Sequence, residues 1–174
     1  MSTATVFQIH LVLGYVPWLL WVSAYVFPRL KSTDPVEAQR AIATLHSFRF
    51  FGLVFIVPGV VGPNLPAGFT TFAAYGDFAT GVLAMLALLA VRVRPLFWSL
   101  VVAFNVVGTI DIIIDYYHGN QLGLATVAGE LGATYAIPII YVPLLMITHA
   151  IAFYLLLGSI RPAADRATPA RAGV

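Results

Sequence analysis

The chain contains no cysteine among its 174 residues. This absence excludes disulfide bonds, thiolate metal ligands, haem attachment through Cys-x-x-Cys-His and a thiol nucleophile. Several chemistries are therefore removed at once.

Charged residues are also scarce, because they make up 9% of the chain while 60% of it is hydrophobic. Soluble domains carry about 25% charged residues, so this chain lacks the polar surface needed to face water on all sides. Its net charge of +2 comes from basic residues spread over several segments. This pattern predicts no nucleic-acid partner and indicates an integral membrane protein surrounded by lipid.

Long apolar runs are what the sequence has in abundance. A helix needs about 20 apolar residues to cross a bilayer. We predict an all-α fold, a polytopic bundle of five transmembrane helices at residues 5–27, 41–61, 70–91, 96–117 and 131–157. Residues 1–160 would form one domain, and residues 161–174, rich in proline, alanine and arginine, are predicted to be a disordered cytoplasmic tail.

The positions of the basic residues predict the orientation of the bundle. Arg29, Lys31 and Arg40 lie between the first two predicted spans, and Arg92 and Arg94 lie between the third and fourth. Three more arginines lie in the tail, and the other two connections have none. The positive-inside rule then places the N-terminus outside and the C-terminus in the cytoplasm, in the cell inner membrane.

Ionisable side chains inside predicted spans are the candidate functional residues, because each charged one costs about 2.5–3.5 kcal/mol to insert. Asp111 and Asp115 are four residues apart and share one face of their helix. With Asp77 and His10 they fall at similar depth in the predicted outer half. We therefore expect these four side chains to converge as catalytic groups in one outward-opening pocket.

The remaining histidines are candidate cofactor ligands. His118 lies at the outer edge of the fourth span, and His46 and His149 lie toward the cytoplasmic side. Arg49 shares a helix face with His46, and the depth estimate places it far from the acids. We therefore expect Arg49 to extend toward the inner interface, as long basic side chains do near helix ends.

This set of residues leaves three kinds of function open. Paired carboxylates beside an imidazole can divide the roles of proton donor and acceptor, which predicts an enzyme acting on a lipophilic small molecule by acid–base or metal-assisted chemistry. A divalent metal is permitted by the donor set, although no His-Glu-x-x-His or His-x-x-x-His motif is present.

Two alternatives use the same residues differently. The acids and the inner histidines are also suited to relaying protons in a proton- or cation-coupled transporter or channel. The lack of an internal repeat counts against this function, although a homodimer would restore symmetry. Four histidines on or beside four helices also permit a haem b electron-transfer protein or an accessory membrane subunit.

Overall fold

The computed structural model describes residues 1–160, and within these residues every regular element is a helix. The predicted tail, residues 161–174, lies outside the described residues. The α-helices are α1 (Thr3–Trp21), α2 (Phe27–Ser32), α3 (Pro35–Ser47), α4 (Ala67–Leu89), α5 (Arg94–Gln121) and α6 (Val142–Ile160).

Four further helical segments have a different winding. The segments Val22–Val26 and Ile137–Tyr141 are π-helical, and the segments Phe48–Ile56 and Leu124–Tyr135 are 3-10 helical. Such segments are usually short, and those inside or beside longer helices often mark functional sites.

Within the described residues, four helical stretches are long and apolar enough to cross a membrane. They are Thr3–Ser32, Ala67–Leu89, Arg94–Gln121 and Ile137–Gly158. The prediction of an all-helical protein is confirmed for the described residues, with four candidate membrane-spanning helices.

The predicted second span, residues 41–61, differs from the structure. Its helix α3 begins earlier, at Pro35, where the carboxylate of Asp34 accepts hydrogen bonds from two backbone amides of the first turn. The winding changes to 3-10 at Phe48 and ends at Ile56. Val57 precedes Pro58 and is extended, with φ −76° and ψ 122°, because the proline ring disfavours helical backbone before it.

Prolines in the last membrane-spanning stretch attach it to α1. Pro143 has no N–H, so the carbonyl of Ile139 lacks its helical donor. That carbonyl lies against Gly14 of α1, where a side chain would overlap it. The next carbonyl, of Ile140, accepts a hydrogen bond of 2.8 Å from the indole of Trp18. The freed carbonyl of Ile139 and the carbonyl of Ile140 thus both contact α1.

Two apolar clusters lie at opposite ends of the bundle. The cluster near the N-terminus includes Phe7, Phe55, Phe69, Leu124, Leu131 and Ile137. The cluster at the opposite end includes Val22, Ile42, Ala84, Phe97, Val101 and Ile151. Buried polar side chains lie between them, so the bundle contains a polar layer enclosed by two hydrophobic cores.

Candidate functional site

Arg49 is the centre of the polar layer, and only 1% of its surface is exposed. Its Nε donates to Asp77 Oδ1 at 2.6 Å, and its Nη2 donates to Asp111 Oδ2 at 2.5 Å. One guanidinium therefore joins the 3-10 segment Phe48–Ile56 to α4 and α5. The expectation that Arg49 extends to the inner interface is wrong.

The depth of Arg49 was misjudged because the predicted span begins at residue 41, several residues after the start of the helix in the structure. Because α3 begins at Pro35, Arg49 lies roughly 20 Å along its helical segment, which is more than half of the ~30 Å apolar thickness of a bilayer. Asp77 lies roughly 15 Å along α4, which begins at Ala67. Both residues are therefore near the middle of the bundle.

The third guanidinium nitrogen, Nη1, fixes the position of a histidine. Arg49 Nη1 lies 3.2 Å from the carbonyl of Gly108 and 3.3 Å from His149 Nε2. On the far side of the ring, His149 Nδ1 is 2.9 Å from Asn105 Oδ1, while the Asn105 amide donates to the carbonyl of Val101. Because arginine only donates and Asn105 Oδ1 only accepts, His149 is neutral with its proton on Nδ1.

His46 is the second buried histidine of the layer. Thr148 Oγ1 donates to backbone carbonyls of its own helix and so accepts from His46 Nε2 at 3.0 Å. His46 Nδ1 is buried without a hydrogen-bond partner in the described part of the chain. The rings of His46 and His149 lie 4.0 Å apart, which leaves no gap for a porphyrin between them.

Three glycines provide the space that the ion cluster occupies. A side chain at Gly76 would overlap the carboxylate of Asp111, and one at Gly52 would overlap that of Asp77. At Gly108, a Cβ would lie 2.5 Å from Arg49 Nη1. These glycines therefore do more than bring helices together, because they accommodate charged groups.

Among residues 1–160, the charges of the cluster do not balance. Asp115 lies one helical turn beyond Asp111, so three carboxyl groups accompany one guanidinium. Asp111 Oδ1 and Asp115 Oδ1 are both buried without a hydrogen-bond partner among residues 1–160. Buried carboxylates need counter-charges or protons, so this cluster is suited to holding protons or a donor group of a ligand.

A cavity of about 220 Å³ adjoins this cluster on the side of the N-terminus. Its wall is mostly apolar and includes Phe7, Phe55, Phe69, Ile112, Leu124 and Ile137. Asp77 and Asp115 are its carboxyl-bearing lining residues, and Gln8, Tyr116 and Asn120 add polar groups. Small-molecule sites typically combine an apolar wall with a few such polar groups.

The structure brings together some of the predicted site residues and separates others. Asp77 and Asp111 meet at Arg49, and Asp115 shares the cavity with Asp77. His10 is exposed and lies 3.0 Å from the hydroxyl of Tyr135, outside the cavity lining.

His118 also lies apart from the ion cluster. Its ring is near the end of α5, with an edge-to-face contact to Phe72 at 5.1 Å. No three histidine or carboxylate side chains within residues 1–160 converge as metal ligands. The described donor set therefore offers no geometry that favours a bound metal.

Sequence reasoning did not identify two kinds of participant in the site. Asn105 and Thr148 fix the histidines, and neither was assigned a role. The second kind is glycine. Gly52 lies three residues after Arg49, and Gly108 lies three residues before Asp111. This spacing is a usable signal, because a missing side chain one helical turn from a buried charge leaves space for a partner.

The described residues form a helical protein with four helices that could cross a membrane and with an ion-paired polar layer. The chain belongs to the family described as Domain of unknown function (DUF8737), whose family model matches residues 6–157. Neither the curated proteins nor the solved structures contain a significant match.

Proposed function

We propose that the protein is a small membrane enzyme that transfers protons to and from a lipophilic small molecule bound in the 220 Å³ cavity. The observation that carries this proposal is the pairing of an apolar wall with two carboxyl groups, Asp77 and Asp115. A ligand whose carbon skeleton fills the apolar part would present its reactive group to these acids.

Asp115 is the proposed proton donor and acceptor. It lines the cavity, and its Oδ1 has no protein hydrogen-bond partner within the described residues. Asp77, by contrast, already bonds Arg49. Asp115 would give its proton to one atom of the ligand and regain a proton from another, so that no net proton is consumed. Isomerisation of a lipid-soluble molecule fits this balance.

Arg49 and Asp111 act as positioning residues in this proposal. Because Arg49 bonds Asp77 and Asp111 at once, it fixes α4 and α5 beside the cavity.

The proposed setting is the cell inner membrane, with five spans and the N-terminus outside. The span that is added to the four candidates would be the second in the chain. It consists of α3 followed by the 3-10 segment Phe48–Ile56, together roughly 35 Å long. Basic residues are found in α2, in α3 and at the α4–α5 turn. They support a cytoplasmic location for the end of the bundle at which these segments lie. The cavity would then open toward the outside.

The test is conversion of membrane metabolites in the presence of the purified protein. Nanodiscs carrying the wild type would be incubated with a total lipid extract, which is then compared with an untreated extract by liquid chromatography with mass-spectrometric detection, because isomers share a mass but differ in retention time. We expect at least one lipophilic compound to change into an isomer, and Asp115→Asn to slow that change at least 100-fold.

Asp34→Asn is the matched control for this experiment. Asp34 caps α3, and asparagine caps a helix equally well, so conversion is expected to continue at the wild-type rate. An unchanged conversion rate in Asp115→Asn, or no conversion by the wild type, would contradict the proposal.

Proton-coupled transport is the second candidate function. The polar layer continues from Asp111 through Arg49 and His149 to His46, away from the cavity. A guanidinium fixed by two carboxylates interrupts this path, which is why we rank transport second. Proteoliposomes containing a trapped pH-sensitive dye would show a flux abolished by His46→Gln if transport is the function.

A homodimer remains a prediction, and α1 is the surface on which we expect it. Only 6% of the apolar window in Thr3–Ser32 is buried within the chain, far less than in the other three candidate spans. This stretch would therefore face either lipid or a second copy.

A further inference from the structure

A second concave surface lies on the side of the bundle, between two helical segments of unusual winding. It is lined by the 3-10 segment Phe48–Ile56 and by the π-helical segment Ile137–Tyr141, and its volume is about 430 Å³. The lining residues used below are Phe48, Phe50, Phe51, Ile137, Ile140 and Tyr141. We call this surface the lateral groove.

The lining of the lateral groove presents apolar surface only. Phe48, Phe51 and Ile140 are each at least half exposed at the side of the bundle, where the acyl chains of a bilayer lie. A groove of this kind offers no partner to a polar ligand but accepts a hydrocarbon chain.

Ile137 connects the lateral groove with the cavity. Its side chain lines both, and only 7% of it is exposed. Phe55, from the facing 3-10 segment, lines the cavity, while Phe50 and Phe51 of the same segment line the groove. The boundary between membrane and cavity is therefore one layer of side chains at this point.

The backbone around Ile137 is irregular on both sides. The 3-10 segment Leu124–Tyr135 ends two residues before it, and the π-helical segment begins at it and continues with Pro138. Neither winding has the regular hydrogen-bond ladder of an α-helix, and proline removes one more donor. Ile137 is therefore held by packing more than by a continuous helix.

We propose that the ligand of the cavity arrives from the bilayer through the lateral groove and passes Ile137. The occupant of the groove is the apolar chain of that same ligand. This inference depends on the proposed function for its ligand, although the route itself is tested without turnover. Gln8 and Asn120 also line the cavity, and both are exposed.

The absence of native cysteine allows a direct test of the route. Ala73→Cys places a single thiol on the cavity wall, at a position that is 2% exposed. In nanodiscs, N-phenylmaleimide partitions into lipid, whereas a sulfonated maleimide stays in water. We expect the lipid-soluble reagent to modify this thiol at least ten times faster.

Changes at Ile137 then test the boundary. Ile137→Trp should slow the N-phenylmaleimide reaction about ten-fold by filling the gap, and Ile137→Ala should accelerate it at least two-fold. The two variants predict opposite shifts, so a general loss of folding cannot mimic both. Ile113→Trp is the matched control, because Ile113 is 54% exposed and lines neither the groove nor the cavity.

Each outcome has a defined meaning. Equal rates in Ile137→Trp, Ile137→Ala and the parent would overturn the route, as would faster labelling by the sulfonated reagent. No labelling of Ala73→Cys by either reagent would overturn the route and the accessible cavity together. Labelling that responds to Ile137 without any conversion of metabolites would retain the route and remove the enzymatic proposal.

Discussion

Replacing Arg49 with methionine should strongly destabilise the protein, because it leaves Asp77 and Asp111 buried without their counter-charge. Asp77 and Asp111 are 6% and 4% exposed, and both bond the guanidinium. Breaking a buried ion pair by removing one partner costs about 3–5 kcal/mol. For a protein of this size, that cost corresponds to a fall in Tm of roughly 6–20 °C.

The assay is thermal unfolding in detergent, and the fluorescence of the three native tryptophans is the readout. Arg40→Met is the matched control, because Arg40 forms an exposed ion pair with Glu37 and its loss should cost no more than about 1 kcal/mol. The triple variant Arg49→Met/Asp77→Asn/Asp111→Asn removes the charges together and should regain at least half of the lost Tm. Equal Tm values for Arg49→Met and Arg40→Met would refute the reasoning.

The remaining predictions concern close packing and the attachment of α1. Gly76→Ala should cost about 1–3 kcal/mol, because its methyl group would overlap the Asp111 carboxylate. Gly129→Ala has open space around it and should change stability by less than about 0.5 kcal/mol in the same unfolding assay. Trp18→Phe should cost about 0.5–1.5 kcal/mol through the lost hydrogen bond to the carbonyl of Ile140, measured in detergent with the wild type as reference; an unchanged Tm would show that this carbonyl finds another donor.

The helical class of the protein could be predicted because length and hydropathy determine it. A run of about 20 apolar residues has few alternatives to a membrane helix, since lipid offers no partner to backbone groups. The sequence also indicates the start of α3, because Asp34 followed by Pro35 is a strong helix-start signal. The prediction nevertheless placed the start of this helix at residue 41, together with the apolar run.

The partners within the site could not be predicted for the same reason. A depth error of a few residues was enough to place Arg49 on the opposite side from Asp77, although the two are joined by a 2.6 Å hydrogen bond.

Convergence between helices was predicted for Asp77, which meets Asp111 at Arg49, but was wrong for His10. Asp111 and Asp115 share a face by spacing alone. His10 was grouped with them by depth, but depth carries no information on which way a helix face turns. The structure directs His10 to Tyr135 instead.

The ion pairs of Arg49 also bear on how the chain enters the membrane during synthesis. Arg49 is made before either partner, and alone at the centre of a bilayer it would cost about 2.5–3.5 kcal/mol. Asp77 follows 28 residues later, on the next helix, and Asp111 follows 62 residues later. Insertion of α3, its 3-10 extension and α4 as one hairpin would carry Arg49 into lipid already neutralised, with α5 completing the coordination of its guanidinium afterwards.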